Sequence, residues 1–128
     1  MNLKKILPRL LFPINSQNVI LFNNNYTMFY VNLDKLKVGT LIYSNNVWYF
    51  TYSNEFKNQS RILPLVNFPS KDKEYSTREL WPFFTSRIPS NAQLQINKSN
   101  KQENIVVQLQ KFGRRTITNP FELCIVAK

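Results

Sequence analysis

VGTLIYSNNVWYFTY, residues 38–52, is the stretch of sequence that decides the fold. Two runs rich in β-branched and aromatic residues flank the pair Asn45-Asn46, and this composition is typical of two β-strands. Asparagine tolerates positive φ, so the pair suits a tight hairpin turn between the strands. Alternate residues of the second run should share a face of the sheet: Trp48, Phe50 and Tyr52 on one side, and Val47, Tyr49 and Thr51 on the other.

The residues before this hairpin extend it into a β-meander. A strand is predicted at 28–33, followed by a turn at Asp34-Lys35 and the strand at 38–43, in which Gly39 marks a bulge or a close backbone approach. The pattern predicts an α+β fold, in which an N-terminal antiparallel β-meander, as a small sheet or a partial barrel, packs with two or more short helices. We expect one domain at 27–128. Residues 1–26 are rich in Pro, Asn and Leu, and we interpret them as an extension that is loosely ordered or packed as an accessory segment.

The middle of the chain contains shorter elements. Residues 53–58 suit one helical turn, residues 62–66 form a short apolar element, and a polar loop follows at 70–76. The segment LWPFFTSR at 80–87 predicts a short helix. Pro82 fits its first turn, where a missing N–H has no cost, and the next proline ends the helix.

A last helix is the clearest helical prediction. Ser99 and Gln102 form a capping box at its start, and apolar residues follow at 105, 109 and 112, a spacing that places them on one face. Gly113 supplies the C-terminal stop.

The amino-acid composition indicates which classes of partner the chain could bind. The chain has 128 residues, with 17 Lys and Arg against 7 Asp and Glu, which gives a formal net charge of +10. Such an excess favours an anionic partner, namely nucleic acid, a membrane surface or an acidic protein face. The basic residues are scattered rather than grouped in a tract, which is typical of a solvated surface.

The inventory of reactive residues argues against an enzyme. There is no His, a single Cys and only two Gly, which excludes zinc sites, His-dependent triads and phosphate-binding glycine loops. The seven acidic residues lie mostly in polar contexts, so a catalytic carboxylate pair is the weaker hypothesis. We expect no cofactor, no small-molecule substrate and an inert buried thiol at Cys124, which lies in an apolar run.

Localisation follows from two sequence features. A single cysteine forms no internal disulfide, which favours a reducing compartment. No stretch has the roughly 20 apolar residues needed to span a bilayer. We therefore expect a cytoplasmic protein with no membrane partner.

The segment Trp81-Pro82-Phe83-Phe84 is the strongest candidate for a binding surface. Its large aromatics exceed what one short helix can bury on one side, so we expect at least one of Phe83 and Phe84 in the core and Trp81 exposed. An exposed Trp is a typical interface anchor. The alternative is a nucleic-acid-binding module whose strand aromatics stack on bases: Tyr30, Trp48, Tyr49, Phe50 and Tyr52.

The order of these elements resembles the N-terminal subdomain of HipA-type toxin kinases and, more closely, the stand-alone HipS component of three-gene HipBST toxin–antitoxin systems. The segments that carry the resemblance are MFYVNL at 28–33, VGTL at 38–41, VWYFTY at 47–52, ILPL at 62–65, PFF at 82–84 with IP at 88–89, FGRRT at 112–116 and NPFEL at 119–123. Kinase-fused members have Leu-Leu-Pro and then an acidic residue, where this chain has RIPS at 87–90. The chain also ends at Lys128, where a kinase would begin its ATP-binding part, and residues 1–26 lie outside the resemblance.

The resemblance implies a bacterial antitoxin that binds and inhibits a HipT-like serine/threonine kinase. A HipB-like helix-turn-helix protein would complete the complex and contact DNA, which this chain would meet only indirectly. Our hypothesis is that the loop at 70–78 and the helix at 80–87 face the kinase, with Trp81 near its active-site cleft. The predicted kinase contacts are Trp81, Phe83, Phe84, Ser86 and Arg87, and the predicted contacts to an anionic partner are Arg114 and Arg115.

Overall fold

The computed structural model describes residues 27–94, 96 and 98–127, and the extension at 1–26 lies outside these residues. The strands in this part of the chain are β1 (Thr27–Leu33), β2 (Leu36–Ser44), β3 (Val47–Tyr52), β4 (Tyr75–Thr77) and β5 (Phe121–Ala127). They form one open, five-stranded antiparallel sheet in the order β4-β3-β2-β1-β5. The α+β class is confirmed, with the sheet rather than the partial barrel, since β4 and β5 are free edges in the described residues.

The hairpin at the centre of the sheet has the predicted turn. Asn45 and Asn46 have φ values of 53° and 68°, and Ser44 pairs directly with Val47 across them. Two consecutive residues of positive φ are the pattern of a type I′ turn, whose twist matches that of the flanking strands. The predicted alternation in β3 is confirmed, because Trp48, Phe50 and Tyr52 are buried: their exposures are 0%, 0% and 2%.

Gly39 fulfils both alternatives that the sequence left open. A Cβ at this position would lie 2.5 Å from the carbonyl oxygen of Thr51 and 2.8 Å from Cζ of Phe50. The β1–β2 register also shifts between Val31, which pairs with Gly39, and Asn32. A side chain at position 39 would therefore push β2 and β3 apart.

The helices predicted at 53–58 and 80–87 are shorter in the structure, and a further short helix at Ser90–Gln93 was not predicted. In chain order the helices are α1 (Asn54–Lys57), α2 (Pro82–Thr85), α3 (Ser90–Gln93), a short 3-10 helix (Lys98–Asn100) and α4 (Lys101–Lys111). Pro82 is the first residue of α2, as expected. None of the described helices is long and apolar enough to cross a membrane.

The capping box predicted at the start of α4 is wrong, whereas the helix ends at its C-cap Phe112, directly before Gly113, as predicted. The N-cap is Asn100 rather than Ser99, and Asn100 makes no side-chain cap hydrogen bond. The side-chain oxygen of Gln102 instead accepts hydrogen bonds from the indole Nε1 of Trp48 at 2.8 Å and from the backbone N of Leu80 at 3.2 Å. Gly113 does not adopt positive φ as a helix stop. It is required by packing, since a Cβ there would lie 2.6 Å from the carbonyl oxygen of Leu123.

The hydrophobic core lies between one face of the sheet and the helices. Aromatic rings form its centre, with Phe50 packed on Phe68 at a centroid distance of 4.4 Å and on Phe84 at 5.9 Å. Ile105 and Leu109 of α4 close it from the helical side. We call this the inner face of the sheet, and the opposite one the outer face.

Two strands were missed by the sequence analysis. The predicted polar loop at 70–76 overlaps β4, which pairs with β3, and the apolar run around Cys124 forms β5 beside β1. The Cys124 thiol is half-buried rather than fully buried, and it accepts a hydrogen bond from Nδ2 of Asn32 at 3.6 Å. Burial raises the pKa of this thiol, and the nearby Glu122 adds to the effect. A thiol so shifted is a weak nucleophile.

Candidate partner-binding surface

The loop at 62–68, which follows α1, is held to the core at several points. The Gln59 side chain accepts a hydrogen bond from the backbone N of Ile62 at 2.9 Å and donates one to its carbonyl oxygen at 3.0 Å. The Tyr52 hydroxyl accepts from the backbone N of Leu65 at 2.8 Å and donates to the carbonyl oxygen of Phe68 at 2.6 Å. The loop therefore has a fixed conformation without any regular secondary structure, and the predicted apolar element at 62–66 belongs to it.

Side chains of this loop divide sharply between the interior and solvent. Leu65 and Phe68 are buried in the core, while Leu63 and Val66 are 78% and 80% exposed. Because the backbone on either side is hydrogen-bonded to the core, the two exposed side chains are held outward. Leu63 and Val66 therefore offer aliphatic surface in a fixed position, which makes the loop a candidate for contact with another protein.

The start of α2 is joined to the same loop. Trp81 is the N-cap but makes no side-chain cap hydrogen bond, and Pro82 has no N–H to be capped. Asn67 supplies the missing acceptor, because its Oδ1 accepts a hydrogen bond from the backbone N of Phe83 at 2.9 Å. The Trp81 ring packs edge-on against Phe68 at a centroid distance of 4.7 Å. Loop and helix therefore form one rigid unit.

The aromatic residues predicted to contact the kinase differ in how deeply they are buried. Trp81 and Phe83 are half-buried, and the Trp81 indole N–H donates no hydrogen bond to any of the described residues. Phe83 packs edge-on against Phe84 at 5.1 Å and Phe121 at 5.2 Å. Phe84 is 0% exposed, which places one of the pair in the core as expected and leaves it no area for direct contact with another protein.

The exposed and half-buried apolar residues of loop and helix make up a single candidate surface. We name it the loop–helix surface, and its members are Leu63, Val66, Trp81, Pro82 and Phe83. Val66 directly precedes Asn67, which is bonded to Phe83, so the loop and helix members adjoin. Sequence reasoning missed Leu63 and Val66. The available signal was Pro64 between them, because a proline inside a short apolar run argues against a buried central strand.

The remaining predicted kinase contacts follow Phe84 on the chain. Ser86 is exposed, and its hydroxyl donates to the carbonyl oxygen of Phe83 at 3.3 Å. Arg87 donates from Nε to the carbonyl oxygen of Phe112 at 2.9 Å and from Nη2 to that of Phe121 at 2.7 Å. Its other nitrogen, Nη1, is buried with no hydrogen-bond partner in the described residues. Burial lowers the pKa of this guanidinium, partly offset by the charge of Glu122.

Arg114 and Arg115 lie on the exposed loop between α4 and β5, and they are not equivalent. Nη1 of Arg115 is 2.6 Å from Oδ1 of Asp34, an exposed ion pair. The Arg114 side chain has no ion pair in the part of the chain that the structure describes, while its carbonyl oxygen accepts from Nη2 of Arg87 at 3.2 Å. Arg87 thus connects the two predicted sites through backbone carbonyls.

The aromatic residues of the alternative base-stacking platform lie on opposite faces of the sheet. Trp48, Phe50 and Tyr52 point into the core, so they cannot stack on bases. Tyr30 and Tyr49 remain on the outer face, where Nζ of Lys37 lies 3.7 Å from the centroid of Tyr30.

A cavity lies apart from the loop–helix surface. It has a volume of about 600 Å³ and lies between α2 and α4, lined among others by Leu80, Ile88 and Ile105, and Trp81 and Phe83 do not line it. The described residues contain no cluster of three or more His, Cys, Asp or Glu side chains that could hold a metal ion.

Comparison with known proteins identifies one family. The model of the HipA N-terminal domain matches residues 29–117, which include most of β1, all of β2 to β4 and all the helices described above. Searches of curated proteins and of solved structures found no match to this chain.

Proposed function

The chain belongs to the HipA N-terminal domain family, and on this basis we propose that it is an antitoxin-type binding protein that complexes and inhibits a HipT-like serine/threonine kinase toxin. The family is a non-catalytic subdomain family, consistent with a toxin–antitoxin role. In this proposal the chain is not an enzyme, needs no cofactor and acts in the bacterial cytoplasm by occupying the surface of its kinase.

The loop–helix surface is the observation that supports a binding role. Stable interfaces have an apolar centre in which a few large side chains carry most of the affinity, and Trp is enriched among them. Trp81 offers a partly exposed ring, whose N–H has no hydrogen-bond partner among the described residues, on a backbone fixed by Tyr52 and Asn67. Because this surface is already rigid, binding costs little conformational entropy.

We propose that Trp81 inserts beside the active-site cleft of the kinase, with Leu63, Val66 and Phe83 around it. Phe84 and Arg87 take part indirectly. Phe84 packs against Phe68 in the core, and Arg87 joins α2 to the segment at 112–121 through hydrogen bonds. In this proposal Ser86 and the segment at 70–78, which includes β4, lie at the rim of the interface. A HipB-like helix-turn-helix protein completes the complex and supplies the DNA contact, to which Arg114 adds at most a phosphate contact.

The test is the affinity for the HipT-like kinase and the inhibition of its phosphorylation activity. Trp81→Ala should weaken binding by about 30-fold or more, since loss of an interface anchor costs about 2 kcal/mol. Val66→Asp should weaken binding without loss of fold, since its side chain is 80% exposed in the free chain.

Leu94→Ala is the matched control, because Leu94 is 87% exposed but lies outside the loop–helix surface. It should bind and inhibit as the unaltered chain does. If Trp81→Ala and Val66→Asp both retain full affinity and inhibition, this surface is not the kinase interface. If the unaltered chain fails to bind a HipT-like kinase, the proposed function itself is wrong.

A further inference from the structure

The cavity between α2 and α4 is a feature that the loop–helix surface does not use. Its volume of about 600 Å³ lies within the range of about 300–1,000 Å³ that is usual for ligand pockets. Its mouth is open to solvent, because the side chains of Glu79 and Lys101, which line it, are 79% and 52% exposed. The cavity is therefore accessible from outside the domain.

The floor of the cavity is aliphatic. Leu80, Ile88 and Ile105 line it and are only 6%, 3% and 3% exposed, and the half-buried Ile96 adds a fourth aliphatic side chain. No aromatic residue belongs to the lining in the described part of the chain. Such a floor favours an aliphatic group of a ligand, because the burial of apolar area drives association.

Two glutamine side chains in the lining give the cavity polar groups of fixed orientation. Oε1 of Gln102 accepts hydrogen bonds from Nε1 of Trp48 at 2.8 Å and from the backbone N of Leu80 at 3.2 Å. Both partners can only donate, so the amide has one orientation and its nitrogen is left as a donor. Nε2 of Gln93 donates to the carbonyl oxygen of Ile88 at 2.7 Å, which leaves the amide oxygen of Gln93 as an acceptor. Neither remaining atom has a hydrogen-bond partner among the described residues.

The charged residues of the lining do not select a charged ligand. Nζ of Lys101 lies 4.0 Å from Oε1 of Glu79, so the two charges compensate each other at the mouth. Within the described chain they are the only charged residues that line the cavity. The cavity therefore combines an aliphatic floor, one fixed donor and one fixed acceptor with no net charge. A neutral ligand that carries an amide next to an aliphatic group matches this combination.

We propose that this cavity binds an extended peptide segment of another protein, with one Leu or Ile side chain of that segment on the aliphatic floor. The backbone carbonyl oxygen of the inserted residue accepts from the amide nitrogen of Gln102, and its backbone N–H donates to the amide oxygen of Gln93. An extended segment has these backbone groups free, and the open mouth lets its chain continue on both sides. Trp81 and Phe83 do not line the cavity, so the inference is independent of the proposed kinase interface.

Isoleucine methyl groups are built-in reporters of binding, because Ile88, Ile96 and Ile105 all line the cavity. The experiment follows their NMR signals in the full chain during titration with N-acetyl-leucine N-methylamide and with the pentapeptide acetyl-Gly-Ser-Leu-Ser-Gly-amide. The first probe should shift them saturably with a Kd of about 1 mM, as expected for a ligand of about 13 non-hydrogen atoms. The pentapeptide should bind at least as tightly. The signal of the fully exposed Ile117, which does not line the cavity, should stay unchanged.

Two incomplete probes separate the parts of the ligand. N-acetyl-glycine N-methylamide lacks the aliphatic side chain and isoamyl alcohol lacks the amide, so each should bind at least about fivefold more weakly than the leucine probe. Equal binding of either one would overturn the proposal. So would binding of the leucine probe without binding of the pentapeptide, because the cavity would then take a small molecule rather than a peptide segment.

Variants of the lining test the assigned contacts. Gln93→Ala should weaken pentapeptide binding about fivefold without loss of fold, because it removes one hydrogen bond at an exposed position. Asn91→Ala is the matched control, since Asn91 is exposed on the same helix but does not line the cavity, and its affinity should be unchanged. Thr85→Phe places a ring in the cavity and should abolish binding. Unchanged affinity in Gln93→Ala, or in a folded Thr85→Phe chain, would overturn the proposal.

Discussion

Arg87 is the residue at which burial and charge are most directly opposed. Its guanidinium donates to the carbonyl oxygens of Phe112, Arg114 and Phe121, and so joins α2 to the start of β5. The cost is a buried cation whose Nη1 has no partner in the described residues. Removing the guanidinium would leave several carbonyl oxygens without a hydrogen-bond donor, which would cost free energy of folding.

We predict that Arg87→Met lowers the free energy of unfolding by about 2–3 kcal/mol, because Met replaces the stem but none of the hydrogen bonds. Arg87→Lys should recover only part of the loss, since one ammonium group cannot match the planar fork. Chemical denaturation of both variants measures this. Unchanged stability in Arg87→Met, together with weaker kinase binding, would instead make Arg87 a direct partner contact.

Tyr52 gives a prediction about pH. Burial raises the pKa of its hydroxyl to about 12 from the ordinary 10.0, although the hydrogen bond from the backbone N of Leu65 acts in the opposite direction. The folded state therefore holds the proton more tightly than the unfolded state. Stability from the neutral hydroxyl is complete below pH 10 and is lost as the pH rises from 10 to about 12.

Tyr52→Phe is the matching variant. It should lower the free energy of unfolding by about 1–3 kcal/mol at neutral pH, because the backbone N of Leu65 and carbonyl oxygen of Phe68 lose their partner. Its stability should also fall less steeply between pH 10 and 12 than that of the unaltered chain. Urea denaturation at a series of pH values measures both effects, and parallel curves would contradict the assignment.

Among the elements of structure, the β2–β3 hairpin depends on two positive φ values. We predict that Asn45→Val lowers the free energy of unfolding by about 1–2 kcal/mol, because a β-branched residue is strained at a φ of 53°. Asn45→Gly should change stability by only a few tenths of a kcal/mol, since glycine adopts this conformation freely. Thermal unfolding distinguishes them, and equal stability of the two variants would refute the role of the turn.

The elements that could be predicted from sequence are those defined by local pattern. The Asn45-Asn46 turn and the alternation in β3 follow from residue type and period, and the structure confirms both. By contrast, β5 depends on pairing with β1 across most of the chain, and no local pattern specifies that partner. The capping box at Ser99 was wrong because tertiary bonds from Trp48 and Leu80 use the Gln102 side chain.

The candidate surface shows the same division. Burial of Phe84 follows from an excess of aromatics around one short helix, whereas Trp81, which was expected to be exposed, is half-buried against the core. The contribution of Leu63 and Val66 could not be predicted, because it depends on Gln59 and Tyr52 holding the intervening backbone. Long-range hydrogen bonds to a loop leave no periodic signal in the sequence.

For the whole molecule, the net charge of +10 must be weighed against the apolar loop–helix surface. A basic chain binds nucleic acid weakly and without specificity through phosphate contacts, with an affinity that falls steeply as salt is added. An aromatic platform would increase that affinity, but Trp48, Phe50 and Tyr52 lie in the core. The charge therefore favours encounter with an acidic partner surface more than it favours specific DNA recognition.

We predict that the isolated chain binds labelled single-stranded and duplex DNA no tighter than about 10⁻⁶ M at physiological salt, with loss of binding as salt is raised. Binding to a HipT-like kinase should be tighter and less sensitive to salt, because an apolar interface is not screened by ions. Fluorescence anisotropy with both targets, over a range of salt concentrations, measures the two affinities. Trp81→Ala should weaken the kinase interaction alone, whereas Arg114→Ala should weaken only that with DNA. Nanomolar, salt-resistant DNA binding by the isolated chain would favour a nucleic-acid-binding module over an antitoxin.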